Sequence, residues 1–181
     1  NHIASITEKM TLAIIAPDGK SGMVNHARDC YEKDIPILFD PGQGLPMFDK
    51  KELMEFIDQA KYIALNGYEA EMLMNVTGLN IQQLSAKVHA LIITKGSQGS
   101  SIYTDKEISV PPIQVEKPID PTGCGDAYRA GLVYGIVNGF DWEKTGKLAS
   151  VMGAIKIQHR GGQNHRVKIK EIEILFGSKL S

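Results

Sequence analysis

The chain has 181 residues, 43% of them hydrophobic, and a formal net charge of −1 at pH 7. This length is enough for one domain with a sizeable core, and the near-neutral charge gives no basic field, so nucleic acid is not an expected partner. No apolar run approaches the roughly 20 residues that span a membrane. The two cysteines, Cys30 and Cys124, lack metal-type spacing, and lone thiols are typical of a reducing cytoplasm, where we expect the protein.

Short apolar runs alternate with amphipathic segments through the first half of the chain. The apolar runs predict strands at residues 12–17, 36–42, 61–66 and 89–94. Helical spacing predicts helices at residues 21–33, 50–60, 68–78 and 81–88, the first with Met23, Ala27, Cys30 and Tyr31 at that spacing. This alternation predicts βαβ units and a mostly parallel sheet.

The pattern changes in the second half. Residues 100–113 predict an antiparallel hairpin with its turn near Asp105 and Lys106, and helices are predicted at residues 125–137, 142–158 and 168–176. We therefore predict a single α/β domain over residues 1–181, with no interior boundary.

Three polar, glycine-containing segments follow predicted strands, at residues 40–43, 66–69 and 94–99. In open α/β sheets, ligands bind outside the carboxyl ends of the strands. The sequence therefore predicts a binding site at the carboxyl edge of this sheet.

The stretch DPTGCGDAYRAG places small residues and a carboxylate at the start of a predicted helix. Gly123 and Gly125 allow unusual backbone angles and close approach of a ligand, and the first N–H groups of a helix form an anion site suited to phosphate. A carboxylate there repels phosphate unless it takes a proton from a hydroxyl beside it. Asp126 is thus a candidate general base, with the amides of residues 123–125 holding phosphoryl oxygens.

Other interpretations of the same stretch remain open. Asp120 and Asp126 could be ordinary helix-start carboxylates, with the glycines serving a tight turn. Cys124 could be a helix N-terminal nucleophile, although no histidine lies near it in sequence. Neither a Walker A string nor G-x-G-x-x-G occurs in the chain.

The same twelve residues closely resemble the C-terminal signature of the ribokinase-like (PfkB) family of carbohydrate and nucleoside kinases. The positions that fit the signature are Asp120, Gly123, Gly125, Asp126, Ala130 and Gly131, whereas Cys124 stands where Ala or Gly is usual. The resemblance implies a ribokinase-like three-layer α/β sandwich with a mostly parallel central sheet. It also implies an ATP-dependent kinase in which Asp126 is the catalytic base and Gly123, Cys124 and Gly125 form the anion hole.

Two further motifs resemble the family in the expected order. Asn66-Gly67-Tyr68-Glu69 resembles its Asn-x-x-Glu motif, in which the Asn meets the nucleotide phosphates and the Glu orders Mg²⁺ through water. A capping box explains this motif equally well. Thr94, Gly96 and Gly99 match the family's nucleotide loop, and an ordinary turn is the alternative there.

The segment at residues 160–165, Arg-Gly-Gly-Gln-Asn-His, follows a predicted helix that contains Ser150 and Ala154. In the family this region borders the adenine site and a monovalent-cation loop. The resemblance therefore implies that Ser150 and Ala154 bind the cofactor and that Asp120 and Thr122 could hold a monovalent cation such as K⁺. A glycine C-cap followed by a solvated basic turn is the alternative.

The combined motifs look most like the adenosine-kinase-type branch, which implies transfer to the 5′-hydroxyl of a nucleoside such as adenosine. A fructokinase- or ribokinase-like sugar kinase and a non-catalytic nucleotide-binding regulator are the alternatives. Arg129, one turn into the helix, is expected in a surface salt bridge, and contact with phosphate is the alternative. The resemblance covers all 181 residues but only the C-terminal part of the family's length. The lid, most sugar contacts and a dimer interface on the lid are therefore expected in a segment before Asn1.

Overall fold

The computed structural model describes residues 9–164 and 166–179. The chain forms two compact units. The first runs to Lys95 and includes Ser101–Glu107, and the second contains Gly96–Ser100 and continues from Ile108.

The secondary structure alternates as the sequence predicts. The strands are β1 (Ala13–Ile15), β2 (Ile37–Phe39), β3 (Tyr62–Asn66), β4 (Ala90–Thr94), β5 (Ser100–Tyr103) and β6 (Glu107–Val110). The helices are α1 (Lys20–Glu32), α2 (Lys50–Gln59), α3 (Gly67–Thr77), α4 (Ile81–Ser85), α5 (Cys124–Val137), α6 (Trp142–Lys156) and α7 (Ile169–Phe176). The strands form a six-stranded sheet in chain order, and the first four are parallel neighbours. The predicted α/β class with a mostly parallel sheet is confirmed.

The first unit buries its apolar residues around the parallel strands. β2 is buried throughout, and four of the five residues of β3 are buried. In α1, Met23, Ala27 and Cys30 are buried, but Tyr31 is 57% exposed. Tyr31 keeps the predicted helical spacing but lies about 80° around the helix from Met23, beyond the edge of the buried stripe.

Three helices of the first unit begin with a capping box. Asp49 caps α2, Asn66 caps α3 and Asn80 caps α4, each accepting a hydrogen bond from the backbone N–H three residues later. The residue at that third position returns a side-chain oxygen to the N–H of the capping residue. These reciprocal bonds satisfy N–H groups that helices leave open, which fixes where each helix begins.

The second unit is built on a close antiparallel packing of α5 against α6. A Cβ on Gly131 would lie 2.5 Å from the Cα of Ala149, and a Cβ on Gly135 would lie 2.6 Å from the Oγ1 of Thr145. Glycine at these positions therefore lets the two backbones approach. On another side of α6, Leu148, Val151 and Ile155 form a buried cluster with Phe176 of α7.

Some elements are shorter or different from the prediction. β1 and β2 have three residues each, within predicted strands at 12–17 and 36–42. A 3₁₀ helix at Gly42–Met47 follows β2, where only a turn was predicted. In the described part of the chain, no helix is both long and apolar enough to cross a membrane.

Candidate active site

In the first unit, the carboxyl ends of the strands carry the polar residues that the sequence analysis selected. Asp40 directly follows β2, Asn66 is the last residue of β3 and Thr94 is the last residue of β4. Asn66 and Thr94 are Cα partners in the β3–β4 pair. The structure therefore brings these two predicted nucleotide-binding residues side by side at the predicted edge.

Asn66 and Glu69 bind each other through three hydrogen bonds. The Asn66 N–H donates to Glu69 Oε2 at 2.8 Å, the Glu69 N–H donates to Asn66 Oδ1 at 2.8 Å, and Asn66 Nδ2 donates to Glu69 Oε1 at 2.7 Å. The capping-box alternative is therefore realised. Both carboxylate oxygens of Glu69 already accept a bond, which fits contact with Mg²⁺ through water better than direct ligation.

No direct metal cage is present in the portion of the chain that the structure describes. Within residues 9–164 and 166–179, no three His, Cys, Asp or Glu side chains are grouped so that they could hold a metal ion. Mg²⁺ commonly keeps several waters and takes one or two carboxylates plus substrate phosphates. A single carboxylate such as that of Glu69 is compatible with this mode of binding.

In the second unit, the loop before β5 is held by glycine conformations. Gly96 has φ 57° and Gly99 has φ 85°, and the Gly99 N–H donates to Gly96 O at 3.1 Å. A side chain at Gly99 would overlap the carbonyl oxygen of Val110. The next residue, Ser100, shares a 2.7 Å hydrogen bond with the hydroxyl of Tyr128. This bond ties the loop containing Gly96 and Gly99 to α5.

The first turn of α5 presents an exposed carboxylate and open backbone amides. Gly123, the N-cap, has φ 79°, and a Cβ there would lie 2.9 Å from Gly162 O. The Cys124 N–H donates to Pro121 O at 3.0 Å. Among the described residues, the N–H groups of Gly123, Gly125 and Asp126 make no hydrogen bond, and the exposed carboxylate of Asp126 has no partner. The amides open to an anion are therefore those of Gly123 and Gly125 from the predicted set, together with that of Asp126, whereas the Cys124 N–H is engaged.

Asp120 fastens the loop before α5 to the loop after α6. Its Oδ1 accepts the Thr122 N–H at 2.9 Å, and its Oδ2 accepts the Gly161 N–H at 2.8 Å. These backbone donors lower the pKa of Asp120 to about 2, and the Gly161 N–H has a larger effect than the Thr122 N–H. Asp120 is therefore a structural anchor at neutral pH, and both of its carboxylate oxygens are engaged.

Cys124 has the properties of a packed thiol rather than a nucleophile. Its side chain is half-buried, and its Sγ lies 3.9 Å from Asp120 O. Burial raises the pKa of this thiol, and this effect outweighs the opposing effect of Lys156. A protonated thiol is a poor nucleophile, so the structure disfavours the thiol alternative.

Two buried cations in this unit were not identified from the sequence. Arg129 is 9% exposed, so the surface position expected for it is wrong. Lys156 is fully buried, and its Nζ donates to Asp120 O at 3.2 Å and to His159 O at 3.0 Å. The burial of Lys156 could have been predicted from its position, because it follows the buried Ala149 by seven residues and so falls on the same face of α6.

The remaining predicted residues lie on α6 and beyond. Ser150 is half-buried, and Ala154, on the same face of α6, is buried and can offer a ligand only packing surface. The 160–165 segment brings Gly161 to Asp120 and Gly162 to Gly123. His165 of this segment lies outside the described residues.

Comparison with known proteins places the fold and the site in a family context. The family profile described as pfkB family carbohydrate kinase matches residues 5–169. A nucleoside kinase of Methanocaldococcus jannaschii is 40% identical over 140 residues, which are 77% of this chain and 46% of that protein. A ribokinase of Bacillus subtilis is 30% identical over 172 residues, which are 93% of this chain and 56% of that protein.

Solved structures of Burkholderia thailandensis nucleoside kinase show the same fold at 46% identity. The complex with inosine has a TM-score of 0.94 and covers 97% of this chain and 59% of that one. The complex with ADP-inosine also has a TM-score of 0.94, covering 97% of this chain and 55% of that one. The predicted ribokinase-like fold is thereby confirmed. The chain spans about half the length of the curated relatives it matches.

Proposed function

Because the chain belongs to the pfkB family of carbohydrate kinases, we propose that the full-length protein transfers the γ-phosphoryl group of ATP to a hydroxyl of a nucleoside. The 5′-hydroxyl of adenosine is the first candidate acceptor. The observation that carries the proposal is the first turn of α5, where the exposed carboxylate of Asp126 stands beside open backbone amides. A carboxylate in an anion site serves a kinase as the base for the acceptor hydroxyl.

The roles of the residues in the second unit follow from this geometry. Asp126 accepts the proton of the acceptor hydroxyl as that oxygen attacks phosphorus. The N–H groups of Gly123, Gly125 and Asp126, with the positive end of the α5 dipole, donate to the oxygens of the transferring group. Gly123 sets the path of the backbone into this turn, and Cys124 packs beneath it. Gly96, Gly99, Ser150 and Ala154 line the nucleotide.

In the first unit, Asn66 and Thr94 are assigned to the nucleotide and Glu69 to the metal. Asn66 Nδ2 uses one hydrogen for Glu69 Oε1 and keeps its other hydrogen for a phosphate oxygen. Glu69 holds a water ligand of Mg²⁺ through its remaining lone pairs. Mg-ATP, when bound, supplies the phosphoryl group and the cation that offsets its charge.

The nucleoside class is supported by the relatives. The archaeal and Burkholderia proteins are nucleoside kinases, and the latter was solved with inosine. The test is ADP release by the full-length protein with Mg-ATP and adenosine, inosine, other nucleosides, ribose or fructose. Turnover with nucleosides and not with free sugars supports the proposal. Turnover with adenosine above the other nucleosides supports the finer assignment.

A sugar kinase is the second candidate, favoured by 30% identity to a ribokinase over 93% of this chain. Turnover with ribose or fructose and not with nucleosides selects it. A non-catalytic nucleotide-binding regulator would bind Mg-ATP without turnover on any acceptor. The exposed Asp126 weighs against a regulator, because a binder gains nothing from a negative charge beside bound phosphate.

Two further assignments belong to this proposal. Both cysteines are free thiols, which suits a reducing compartment, so we place the protein in the cytoplasm. A homodimer through the lid follows from the family resemblance. The same resemblance implies a K⁺ ion at Asp120 and Thr122, but the Nζ of Lys156, which donates to Asp120 O, argues against that ion.

A further inference from the structure

Lys156 carries a charge into the interior beside the proposed active site. It is the last residue of α6 and is fully buried. Burying an ammonium costs free energy unless other groups replace its hydration. A lysine that is kept at such a position is expected to have a specific set of partners.

The partners of the ammonium are backbone carbonyl oxygens of two loops. Nζ donates to Asp120 O at 3.2 Å, on the loop before α5, and to His159 O at 3.0 Å, on the loop after α6. The C-terminal end of α6 adds a negative dipole, which also favours a cation. After the N–H groups of Gly161 and Thr122, the charge of Lys156 adds to the lowering of the Asp120 pKa.

The same two loops are joined at three other points. The N–H groups of Ile119 and Asp120 both donate to Ile157 O, at 2.8 Å and 3.0 Å. The Asp120 carboxylate accepts the Gly161 N–H, and Gly123 packs against Gly162. The loop that ends in this assembly runs directly into the first turn of α5. Its position therefore sets the position of the Asp126 carboxylate and the open amides.

A monovalent cation fits poorly where Lys156 lies. K⁺ is bound by rings of carbonyl oxygens that replace its hydration shell. Here the carbonyl of Asp120 already accepts from an ammonium, and both side-chain oxygens of Asp120 accept backbone N–H groups. A second cation would share these oxygens with a fixed like charge. The residues present therefore do not fit K⁺ at Asp120.

We propose that Lys156 is a positioning residue whose tethered ammonium takes the place of a monovalent cation between the 120–123 and 157–162 loops, so that the kinase works without K⁺. The part of the test that measures turnover rests on the proposed function. The part that measures the melting temperature does not depend on that function.

The experiment uses the full-length protein in buffers whose only added monovalent cation is tetramethylammonium, K⁺ or NH₄⁺ at equal ionic strength. Tetramethylammonium is too large for the space and has no N–H to donate. Wild-type turnover and melting temperature are expected to be the same in all three buffers. Wild-type turnover that depends on K⁺ overturns the proposal.

Two variants separate charge from packing. Lys156→Ala leaves a space between the two carbonyls, and Lys156→Met fills it with an apolar side chain of similar length. Displacing the first turn of α5 is expected to lower kcat by about 100-fold in both variants, with a smaller change in the KM for ATP. NH₄⁺ or K⁺ is expected to restore kcat and raise the melting temperature in Lys156→Ala only. Equal recovery in Lys156→Met, or an unchanged kcat in Lys156→Ala, overturns the proposal.

Lys147→Ala is the matched control. Lys147 lies on the same helix and is exposed, with its Nζ 5.1 Å from the centre of the Phe176 ring, and it should show no cation effect. If wild type turns over no acceptor, the proposed function fails while the cation-specific melting of Lys156→Ala still decides this inference. If Lys156→Ala does not fold, the comparison of wild-type turnover and melting temperature with and without K⁺ is sufficient to test this inference.

Discussion

Asn66 and Glu69 form a reciprocal pair in which each side chain accepts the backbone N–H of the other, both at 2.8 Å. The pair closes the start of α3 in the same way that Asp49 and Glu52 close α2. The motif proposed for nucleotide and metal is therefore also a helix cap. A variant that tests the function of this motif has to keep the capping box. Glutamine can serve at the third position of such a box, as Gln83 does in α4.

Glu69→Gln should separate the two roles. Glutamine keeps an oxygen for the Asn66 N–H but loses the acceptor of Asn66 Nδ2, so the free energy of unfolding should fall by about 1 kcal/mol. The lost carboxylate charge should weaken the outer shell of Mg²⁺ and raise the Mg²⁺ concentration for half-maximal activity by about 10- to 100-fold. Mg²⁺ titrations of turnover, together with thermal melts, measure both quantities.

The control for this test is Glu52→Gln, which alters the capping box of α2 and an ion pair with Lys20 at 2.7 Å. It should leave the Mg²⁺ requirement unchanged. If Glu69→Gln and wild type require the same Mg²⁺ concentration, Glu69 serves as a helix cap and has no role in Mg²⁺ binding.

Asp126→Asn should remove the proposed base while keeping the shape of the first turn of α5. We expect kcat to fall by about 100- to 10,000-fold, the usual contribution of general acid–base catalysis. ATP affinity should be retained, or rise slightly, because one negative charge leaves the anion site. Steady-state kinetics and nucleotide titration by calorimetry measure the two effects separately.

Asp141→Asn is the matched control for the base. Asp141 caps α6 by accepting the Lys144 N–H at 2.7 Å, and asparagine caps a helix equally well. Its kcat should match that of wild type. Full turnover by Asp126→Asn would leave the carboxylate as an ordinary helix-start residue.

Local patterns predicted most of the architecture. The strand runs and helical spacing predicted each strand and α-helix to within a few residues, since burial of one face imposes a period on the sequence. The helix that begins at Gly67 was also readable, because Asn66 and Glu69 have capping-box spacing. Tyr31 shares the helical spacing of the buried residues of α1 and is exposed, because spacing alone does not show where a buried face ends.

Contacts between distant parts of the chain were not predictable in this way. Asp120 and Gly161 are 41 residues apart, and Lys156 and Asp120 are 36 apart. Nothing in the local pattern says that these groups meet, because that depends on how α5 packs on α6. The same limit explains Arg129, which helical position alone suggested would lie at the surface.

The Asp120 carboxylate should make the protein sensitive to acid. Backbone donors lower its pKa from an ordinary 3.8 to about 2, so its contribution to stability is complete above the ordinary value and is lost as the pH falls toward 2. Asp120→Asn cannot accept both N–H groups and should melt at a lower temperature at neutral pH. That difference from wild type should shrink between pH 4 and pH 2. Thermal melts at constant ionic strength measure it, and a constant difference over this range would contradict the assignment.

Gly131→Ala should destabilise the second unit, because its Cβ would lie 2.5 Å from the Cα of Ala149 and 3.1 Å from the backbone carbon of Leu148. Backbone atoms cannot give way as a flexible side chain can, so α5 and α6 would have to separate, at a cost of about 1–3 kcal/mol. Gly153→Ala is the matched control on α6, where the nearest atom, Cys124 O, is 3.7 Å away and leaves room for a methyl group. It should stabilise the protein by about 0.4–1 kcal/mol through the lower entropy of the unfolded chain. The urea midpoints of unfolding of the two variants should therefore shift in opposite directions. Equal shifts would mean that helix propensity, rather than the close approach of α5 and α6, determines the stability of both variants.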